Sequence, residues 1–315
     1  MEELLAGLRA AGEDTRLRLL HLLSRAEFNV SELTQILGQS QPRVSRHLKL
    51  MMDAGLLDRF KEGSWVLFRM REEGRGAQIA AAIVAMIPRT DPVLRRDLAR
   101  VGEILQARRE VADAYFGANA KNWDKMRSLH ISEELVEGAL LELVGKTEVN
   151  SFVDVGTGTG RILELLAPLA KHATGIDASR EMLAIARARI AESNLEHIQV
   201  RYGDIFSLPL DDDTADLMTV HQVLHFLDNP SGALEEAARI LAPKGRLFIV
   251  DFAPHALEFL RDEHAHRRLG LSDVDVRRWC GRAGLSVDKH ETLPSPKEDG
   301  LTVSLWACSK GKAEK

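Results

Sequence analysis

The amino-acid sequence predicts an α/β protein with two domains: a small N-terminal domain of helices and a hairpin, then a larger doubly wound parallel sheet. Three observations lead to this prediction. The chain has 315 residues, more than one such sheet needs. From about residue 150 onward, short apolar runs alternate with helical patterns, as they do in parallel sheets. Residues 1–75 show short helical repeats followed by two strand-like runs.

Composition and charge are those of an ordinary globular protein. Apolar residues make up 45% of the chain and charged residues 28%, with a net charge of -5. The start lacks a basic signal region, and the longest apolar run, near 79–87, is too short to cross a bilayer. We therefore expect a cytoplasmic chain without a membrane partner. Cys280 and Cys308 lack paired spacing, so no metal site is predicted.

The turn after the first predicted strand of the sheet is rich in glycine. Gly156, Gly158 and Gly160 follow an apolar run and precede a helical pattern that opens at Arg161. Glycines allow a sharp turn and let a ligand approach the backbone N–H groups. A dinucleotide fingerprint would need its last glycine at Arg161. Considered alone, these glycines could equally serve only to make turns.

Acidic residues end the next two predicted strands. Asp177 follows the run that begins at Ala173, and Asp204 follows residues 198–202. A carboxylate in the first position can accept hydrogen bonds from both hydroxyls of a ribose, because ligands bind beyond the carboxyl ends of parallel strands. The alternative is that both acids are helix caps or loop residues. Their position beside the glycine turn favours a cofactor site.

The segment Asp154-Val-Gly-Thr-Gly-Thr-Gly160, with the two later acids, resembles the first motif of class I S-adenosylmethionine (SAM)-dependent methyltransferases. This resemblance implies a Rossmann-like doubly wound domain over residues 130–311 that binds SAM or S-adenosylhomocysteine (SAH). It also implies that Asp177 binds the ribose and Asp204 the adenine amino group. The predicted cofactor-binding residues are Asp154, Gly156, Thr157, Gly158, Gly160, Asp177, Ala178, Met182, Gly203, Asp204, Ile205, His221 and Gln222.

Two histidines at the end of the fourth strand are candidate catalytic bases, His221 and His225. His221 could equally hold the amino acid end of the cofactor, and His225 could simply pack. In methyl transfer the sulfonium is the electrophile, so the protein needs no nucleophile of its own. The sequence therefore leaves open whether the domain is an enzyme.

Residues 1–75 carry the pattern of a winged helix-turn-helix domain. Ser31 is the predicted N-cap of a short helix that Gly38 ends, and Ser40 is the predicted cap of a second, more polar helix. Strand-like runs at 56–60 and 65–70 then form the predicted wing. In such domains the second helix enters the major groove of DNA.

Charge in this region supports contact with DNA. From Ser40 to Arg71 there are seven basic residues and three acidic ones, a net of +4 in a chain that is acidic overall. The alternative is an adaptor that binds protein through a solvated helix face. The predicted DNA-binding residues are Gln41, Arg43, Ser45, Arg46, His47, Lys49, Lys61 and Arg69.

The segments Val30–Thr34 and Ser40–Lys49 resemble the ArsR/SmtB family of bacterial repressors. The resemblance implies a homodimer on double-stranded operator DNA. The cysteine pair of metal-sensing members is missing from 32–36, so metal sensing is not expected.

Residues 76–129 are predicted to form a helical connector. An apolar stripe along it could mediate dimerisation or pack on its own domain; its members are Leu94, Leu98, Val101, Leu105, Arg108, Ala112 and Tyr115. Tyr115, Arg127 and His130 could also enclose the sulfonium and carboxylate of the cofactor. Packing of a connector helix would explain the aromatic residues equally well.

Two functions remain open from the sequence. The first is a transcriptional regulator, expected to be a repressor, in which the methyltransferase-like domain reports SAM or SAH to the DNA-binding domain. This combination resembles ArsR-type regulators of methionine and activated-methyl metabolism. The second is a SAM-dependent small-molecule methyltransferase with an appended autoregulatory domain. The first is preferred because a DNA-reading helix explains residues 40–70, whereas no substrate-specific group of residues explains the loops of the second domain.

Overall fold

The computed structural model divides the chain into two compact units, Met1–Glu110 and Val111–Lys315. It describes residues 1–62, 65–71, 73–88, 90–120, 123, 132–193, 195, 197–295 and 300–311. Within these ranges, no helix combines the length and apolar character needed to span a membrane. The α/β class with an N-terminal winged helix-turn-helix is confirmed.

Helices make up most of the first unit. They are α1 (Glu2–Ala11), α2 (Asp14–Leu23), α3 (Val30–Leu37), α4 (Gln41–Asp53), α5 (Gly74–Met86) and α6 (Pro92–Asn119), which continues into the second unit. The strands β1 (Phe28–Asn29), β2 (Leu57–Glu62) and β3 (Trp65–Met70) form an antiparallel sheet in the order β1-β3-β2. Strands β2 and β3 are the predicted wing, and β1 is an addition that the sequence did not indicate.

Helix α3 begins one residue before the predicted cap. Asn29 accepts a hydrogen bond from the Glu32 N–H, and Glu32 accepts one from the Asn29 N–H, each at 3.0 Å. This reciprocal pair satisfies two N–H groups at the helix start, so the prediction of Ser31 as the cap is wrong. Gly38 ends the helix with φ of +64°, as expected. Ser40 precedes α4, but its side chain makes no capping bond.

The core of the first unit forms where α2, α3 and α4 meet. Leu20, Leu33, Ile36 and Val44 have no exposed surface, which leaves the polar side of α4 facing outward. The first half of α6 packs on this core through Val101.

Polar contacts also fix this half of α6. Asp97 accepts two hydrogen bonds from the Arg18 guanidinium, at 2.6 and 2.7 Å. Arg100 donates a 2.7 Å bond to the carbonyl of Ile36 at the end of α3. Leu94 and Val101, two members of the predicted stripe, are each 7% exposed within this one chain. Dimerisation through the stripe therefore stays a prediction.

The second unit alternates strands and helices along the chain. Its helices are α7 (Glu133–Val144), α8 (Arg161–Leu166), α9 (Arg180–Ser193), α10 (Pro230–Ile240), α11 (Phe259–His264) and α12 (Asp273–Arg282), with short 3-10 turns at Ala167–Leu169 and Leu224–Phe226. Its strands are β4 (Val149–Val155), β5 (Ala170–Asp177), β6 (Ile198–Tyr202), β7 (Ala215–His221), β8 (Leu241–Phe252), β9 (Leu285–Leu293) and β10 (Val303–Lys310).

These strands form one sheet in the order β6-β5-β4-β7-β8-β10-β9. The first five are parallel, and β10 pairs antiparallel with both β8 and β9. Because the central strands are parallel, their carboxyl ends lie at one edge of the sheet. The order in which strands are added reverses between β4 and β7, and open sheets of this kind bind ligands at such a point. The final antiparallel pair was not part of the sequence prediction.

Both faces of the sheet are covered. Phe152 packs on one face with residues of α7 and α8, whereas Val153 and Val155 pack on the other with residues of α10 and α12. This alternation follows from the two-residue period of a strand. The layers leave the loops at the carboxyl edge of the central strands free to hold ligand-binding groups.

Candidate functional site

The glycine-rich turn between β4 and α8 takes a conformation that needs glycine. The φ angles are +71° at Gly156, +53° at Gly158 and +81° at Gly160, in the left-handed region that other residues rarely adopt. A Cβ at position 156 would lie 2.3 Å from Val223 Cγ2, whereas at position 158 the nearest atom would be Trp123 Nε1 at 3.7 Å. The turn is therefore tightly packed at Gly156 and more open at Gly158.

Asp177, at the end of β5, is held against this turn. Its Oδ2 atom accepts a hydrogen bond from the Gly158 N–H and its Oδ1 atom accepts one from the Ser179 N–H, both at 2.8 Å. The Gly203 N–H donates a 3.1 Å bond to the Asp177 carbonyl, which joins the ends of β5 and β6. The structure thus brings together the glycine turn, Asp177 and the segment that starts at Gly203.

Asp204 lies at the outer side of this group of residues. It is exposed, and its Oδ1 atom accepts a 2.9 Å bond from the Phe206 N–H. The neighbouring aromatic residues Tyr202 and Phe206 are 56% and 40% exposed, and Ile205 is half-buried. An acid beside exposed apolar side chains is a surface on which a planar base can stack and form hydrogen bonds.

Three of the predicted cofactor residues point into the protein instead. Asp154 is 1% exposed and accepts a 2.6 Å bond from the Thr219 hydroxyl of β7. The Thr157 hydroxyl oxygen would lie 2.7 Å from a Cβ added at Gly175, and Met182 is 2% exposed. In this arrangement these side chains support the turn and the strands beneath it, and their contact with a cofactor stays a prediction.

The remaining predicted residues lie at the neighbouring strand ends. Ala178 is exposed beyond β5, and His221 and Gln222 are buried at the end of β7. Gln222 has φ of +54°, and its N–H donates a 2.7 Å bond to the Val250 carbonyl. Residues other than glycine with a left-handed backbone conformation are often found at binding sites.

His225 forms a buried pair with an aspartate that the sequence reasoning missed. The His225 Nδ1 atom lies 2.7 Å from Oδ1 of Asp251, and the His225 backbone N–H donates a 3.2 Å bond to Oδ2. Asp251 stands near the end of β8, inside an apolar run that reads as plain core strand. The acidic residue within this apolar run was the one sequence feature that could have indicated a functional role for Asp251.

Aromatic side chains gather beside the glycine turn. Phe116 of α6 packs edge-on against Phe226 with 4.8 Å between ring centres, and against Trp123 at 5.3 Å. The Tyr115 hydroxyl lies 2.7 Å from His264 Nδ1, and burial raises the pKa of Tyr115 to about 12. Arg127 and His130, predicted to enclose the cofactor, lie outside the described residues.

The outer face of α4 carries most of the predicted DNA contacts. Gln41, Arg43, Ser45, Arg46 and Lys49 are exposed along this helix, as is Lys61 at the end of β2. Their side chains therefore lie where the polar pattern of the sequence placed them.

His47 and Arg69 have partners within the first unit. The His47 side chain is 12% exposed, with Nδ1 3.7 Å from a Glu13 carboxylate oxygen. Burial lowers the pKa of His47, although Glu13 opposes this shift. Arg69 lies 3.5 Å from Glu27 and over the Phe60 ring, 4.8 Å from its centre. Phosphate contact by Arg69 would require it to leave these partners.

Comparisons with known proteins agree with this architecture. Residues 153–249 match the family described as methyltransferase domain, and residues 13–59 match the bacterial regulatory protein, arsR family. The chain is 27% identical over 186 residues to the uncharacterized methyltransferase YcgJ of Bacillus subtilis, which covers 52% of this chain and 73% of that protein. It is 28% identical over 222 residues to the demethylmenaquinone methyltransferase of Clavibacter sepedonicus. This match covers 70% of this chain and 87% of that protein.

A solved structure has the same fold as the second unit. The complex of the Haloferax volcanii Trm112 methyltransferase activator with a chain described as a methyltransferase aligns with a TM-score of 0.51 and 23% identity, covering 62% of this chain and 97% of that one. The sheet order and the glycine turn define the second unit as a class I methyltransferase domain. The chain thus combines an arsR-family helix-turn-helix segment with that domain.

Proposed function

We propose that this chain is a DNA-binding transcriptional repressor that responds to SAM or SAH. The first unit binds double-stranded operator DNA as a homodimer, and the second unit binds the effector. The regulated genes belong to methionine and activated-methyl metabolism. The observation that carries the proposal is the Gly158–Asp177 hydrogen bond, in a chain that also has an arsR-family segment.

The residues at the carboxyl edge of the sheet suit SAM or SAH. Gly158 leaves the turn open, and Asp177 presents a carboxylate to the ribose hydroxyls. Asp204 accepts from the adenine amino group while the half-buried Ile205 packs on the purine. When SAM is bound, it supplies a methyl group on positively charged sulphur, whereas SAH lacks that charge. The aromatic residues Phe116 and Trp123 can distinguish the two through cation–π attraction.

The exposed face of α4 supports the DNA-binding part of the proposal. Arg43 and Arg46 are suited to guanine edges and Gln41 to an adenine edge, while Lys49 and Lys61 are suited to phosphates. A helix-turn-helix dimer reads two half-sites about one helical turn apart. The proposed homodimer would present one copy of α4 to each half-site.

Helix α6 is the proposed coupling element. Its first half is held by Arg18 and contacts the end of α3 through Arg100, next to the recognition helix in the chain. Its last turn carries Tyr115 and Phe116, which belong to the aromatic group beside Gly158. Ligand binding can shift α6 only if the DNA-binding and non-binding arrangements of the chain bind the ligand with different free energies. Such differences are typically about 1–3 kcal/mol.

Fluorescence anisotropy of labelled DNA from the upstream region of the chain's own gene tests this function. We expect the purified full chain to bind this DNA, and its affinity to change when SAM or SAH is added in turn. An unrelated DNA of equal length is the control. DNA binding that ignores both ligands would overturn the sensor proposal.

A second candidate function is methyl transfer to a small molecule. The buried His225–Asp251 pair favours it, because a regulator that only senses SAM needs no base. Relatives of the second unit include proteins named demethylmenaquinone methyltransferase, which suggests ring-containing acceptors. Accumulation of SAH from SAM in the presence of metabolite extract is the expected result, and its absence would remove this candidate.

A further inference from the structure

We infer that His225, oriented by Asp251, is the general base for methyl transfer to an aromatic hydroxyl group. The inference rests on the proposed binding of SAM, and it deepens the second candidate function by naming the base and the class of acceptor. The pair is buried: the side chain of His225 is 2% exposed and that of Asp251 is 0% exposed.

Asp251 determines which ring nitrogen of His225 carries the proton. An ionised carboxylate only accepts hydrogen bonds, so a neutral imidazole bonded to it through Nδ1 must carry its proton there. Asp251 also accepts from the His225 backbone N–H, so the same side chain fixes both the ring and the main chain. The other ring nitrogen, Nε2, is left in the form that accepts a proton.

The Nε2 atom lacks a hydrogen-bond partner among the residues that the structure describes, although it is buried. A buried polar atom without a partner costs free energy, so a stable fold retains it only where another constraint requires it. A hydroxyl group of a bound acceptor would satisfy Nε2 directly.

Three aromatic rings pack against the imidazole ring of His225. The ring centre of His225 lies 4.0 Å from that of Phe226, 4.2 Å from that of His266 and 5.0 Å from that of Phe252. Phe226 is partly exposed and packs on Phe116 of α6. Of these three rings, Phe226 is the most exposed, so the inferred acceptor would approach the His225 ring from the side of Phe226. A flat ring fits between aromatic walls better than a branched aliphatic group does.

The chemistry of imidazole narrows the acceptor further. Imidazole is a moderate base, so it removes a proton from a phenol far more readily than from an aliphatic alcohol. Apolar walls and one base together select a planar acceptor with an acidic O–H group. These requirements are met by a phenol, a catechol or the phenolic hydroxyl of a reduced quinone.

The transfer step balances without another reactant. The acceptor oxygen forms a bond to the methyl carbon as the carbon–sulphur bond breaks, and the bonding electron pair stays on sulphur. The proton of the acceptor moves to His225 Nε2, which leaves an imidazolium paired with the Asp251 carboxylate. The products are an aryl methyl ether and SAH, and the positive charge passes from sulphur to the imidazole. Solvent then removes the proton.

The test uses the purified full chain with SAM and catechol as the acceptor, with cyclohexanol as its aliphatic counterpart. Mass spectrometry measures the methyl ether. We expect methylation of catechol alone, with the rate reduced roughly 10²- to 10⁴-fold in His225→Gln. A nitro-substituted phenol, which ionises unaided near neutral pH, should remain a substrate of this variant. The exposed histidine variant His172→Gln is the matched control and should keep the normal rate.

Two further measurements do not depend on turnover. Nitrogen NMR of labelled histidine should show His225 protonated at Nδ1 in the neutral protein, and Asp251→Asn should change this tautomer balance. Calorimetry should detect catechol binding to the SAH-loaded chain, weakened in His225→Gln. Catechol that neither binds nor reacts with a chain that binds SAH would overturn the inference, as would an undiminished rate in His225→Gln. Failure to bind SAM and SAH at all would instead overturn the proposed function.

Discussion

Asp97 of α6 receives both of its guanidinium hydrogen bonds from Arg18 of α2, with N–O distances of 2.6 and 2.7 Å. The Asp97 side chain is 1% exposed and the Arg18 side chain 17% exposed. This bidentate pair ties the first half of α6 to the helix that precedes the DNA-binding motif. It also raises the pKa of Arg18, because the charged guanidinium is stabilised by the bonds to Asp97.

Replacing Asp97 should loosen this part of the first unit. Asp97→Asn leaves a largely buried guanidinium without its charge partner, which typically costs about 3–5 kcal/mol. Hydrogen exchange of the α2 and α6 amides should show a loss of protection of this order. Asp211→Asn, at an exposed acid of the second unit, should leave exchange unchanged. Normal protection in Asp97→Asn would mean that the pair does not hold α6.

Gly158→Val should abolish binding of SAH. The residue has φ of +53°, and a branched side chain would both strain the turn and fill its open side. Gly284→Val is a matched control, because Gly284 has φ of +73° and open space around it. Both variants should lose roughly 1–2 kcal/mol of stability from the left-handed backbone. Calorimetry should show lost binding in Gly158→Val alone, and equal binding in both variants would show that the site lies elsewhere.

Arg43→Ala and Arg46→Ala should each weaken DNA binding while leaving SAH binding unchanged. Both side chains are exposed on α4, and loss of one guanine contact costs about 1–3 kcal/mol. Anisotropy titrations at several salt concentrations measure the affinity and its salt dependence. Arg187→Ala removes an exposed arginine from α9 and serves as the charge-matched control. Normal DNA affinity in both α4 variants would exclude this helix from the interface.

Acidification should destabilise the first unit through His47. Burial lowers the pKa of His47 below its usual value of 6.5, despite the opposing effect of Glu13. The unfolded chain therefore takes up a proton at higher pH than the folded chain does. The contribution of neutral His47 to the free energy of unfolding is fully present above about pH 6.5. It is lost as the pH falls through the lowered pKa of His47. Urea unfolding should show a smaller pH dependence in His47→Gln, whereas an unchanged slope would contradict this assignment.

The elements that define the fold were predictable from local patterns. The glycine turn, the alternation of strands and helices, and the polar face of α4 all depend on residues close together in the sequence. The first residue of α3 could not be predicted in this way, because Asn29 and Ser31 are both good helix caps. Only the reciprocal hydrogen bonds between Asn29 and Glu32 decide between them.

The features that could not be predicted from the sequence depend on contacts between distant segments of the chain. Asp251 and His225 are 26 residues apart, and each belongs to a segment that looks like ordinary packing. Strand β9 has a partly polar sequence because it lies at the sheet edge, so its apolar signal is weak. The placement of Trp123 near Gly158 likewise depends on tertiary packing.

The most direct test of the account compares DNA affinity with and without SAH in the normal chain and in Asp177→Ala. In the normal chain, saturating SAH should change the DNA dissociation constant by about 5- to 150-fold, the range of typical coupling energies. In Asp177→Ala, which lacks the carboxylate held by Gly158, DNA should still bind and SAH should have no effect. An equal response of both proteins to SAH, or no response in the normal chain, would contradict the account.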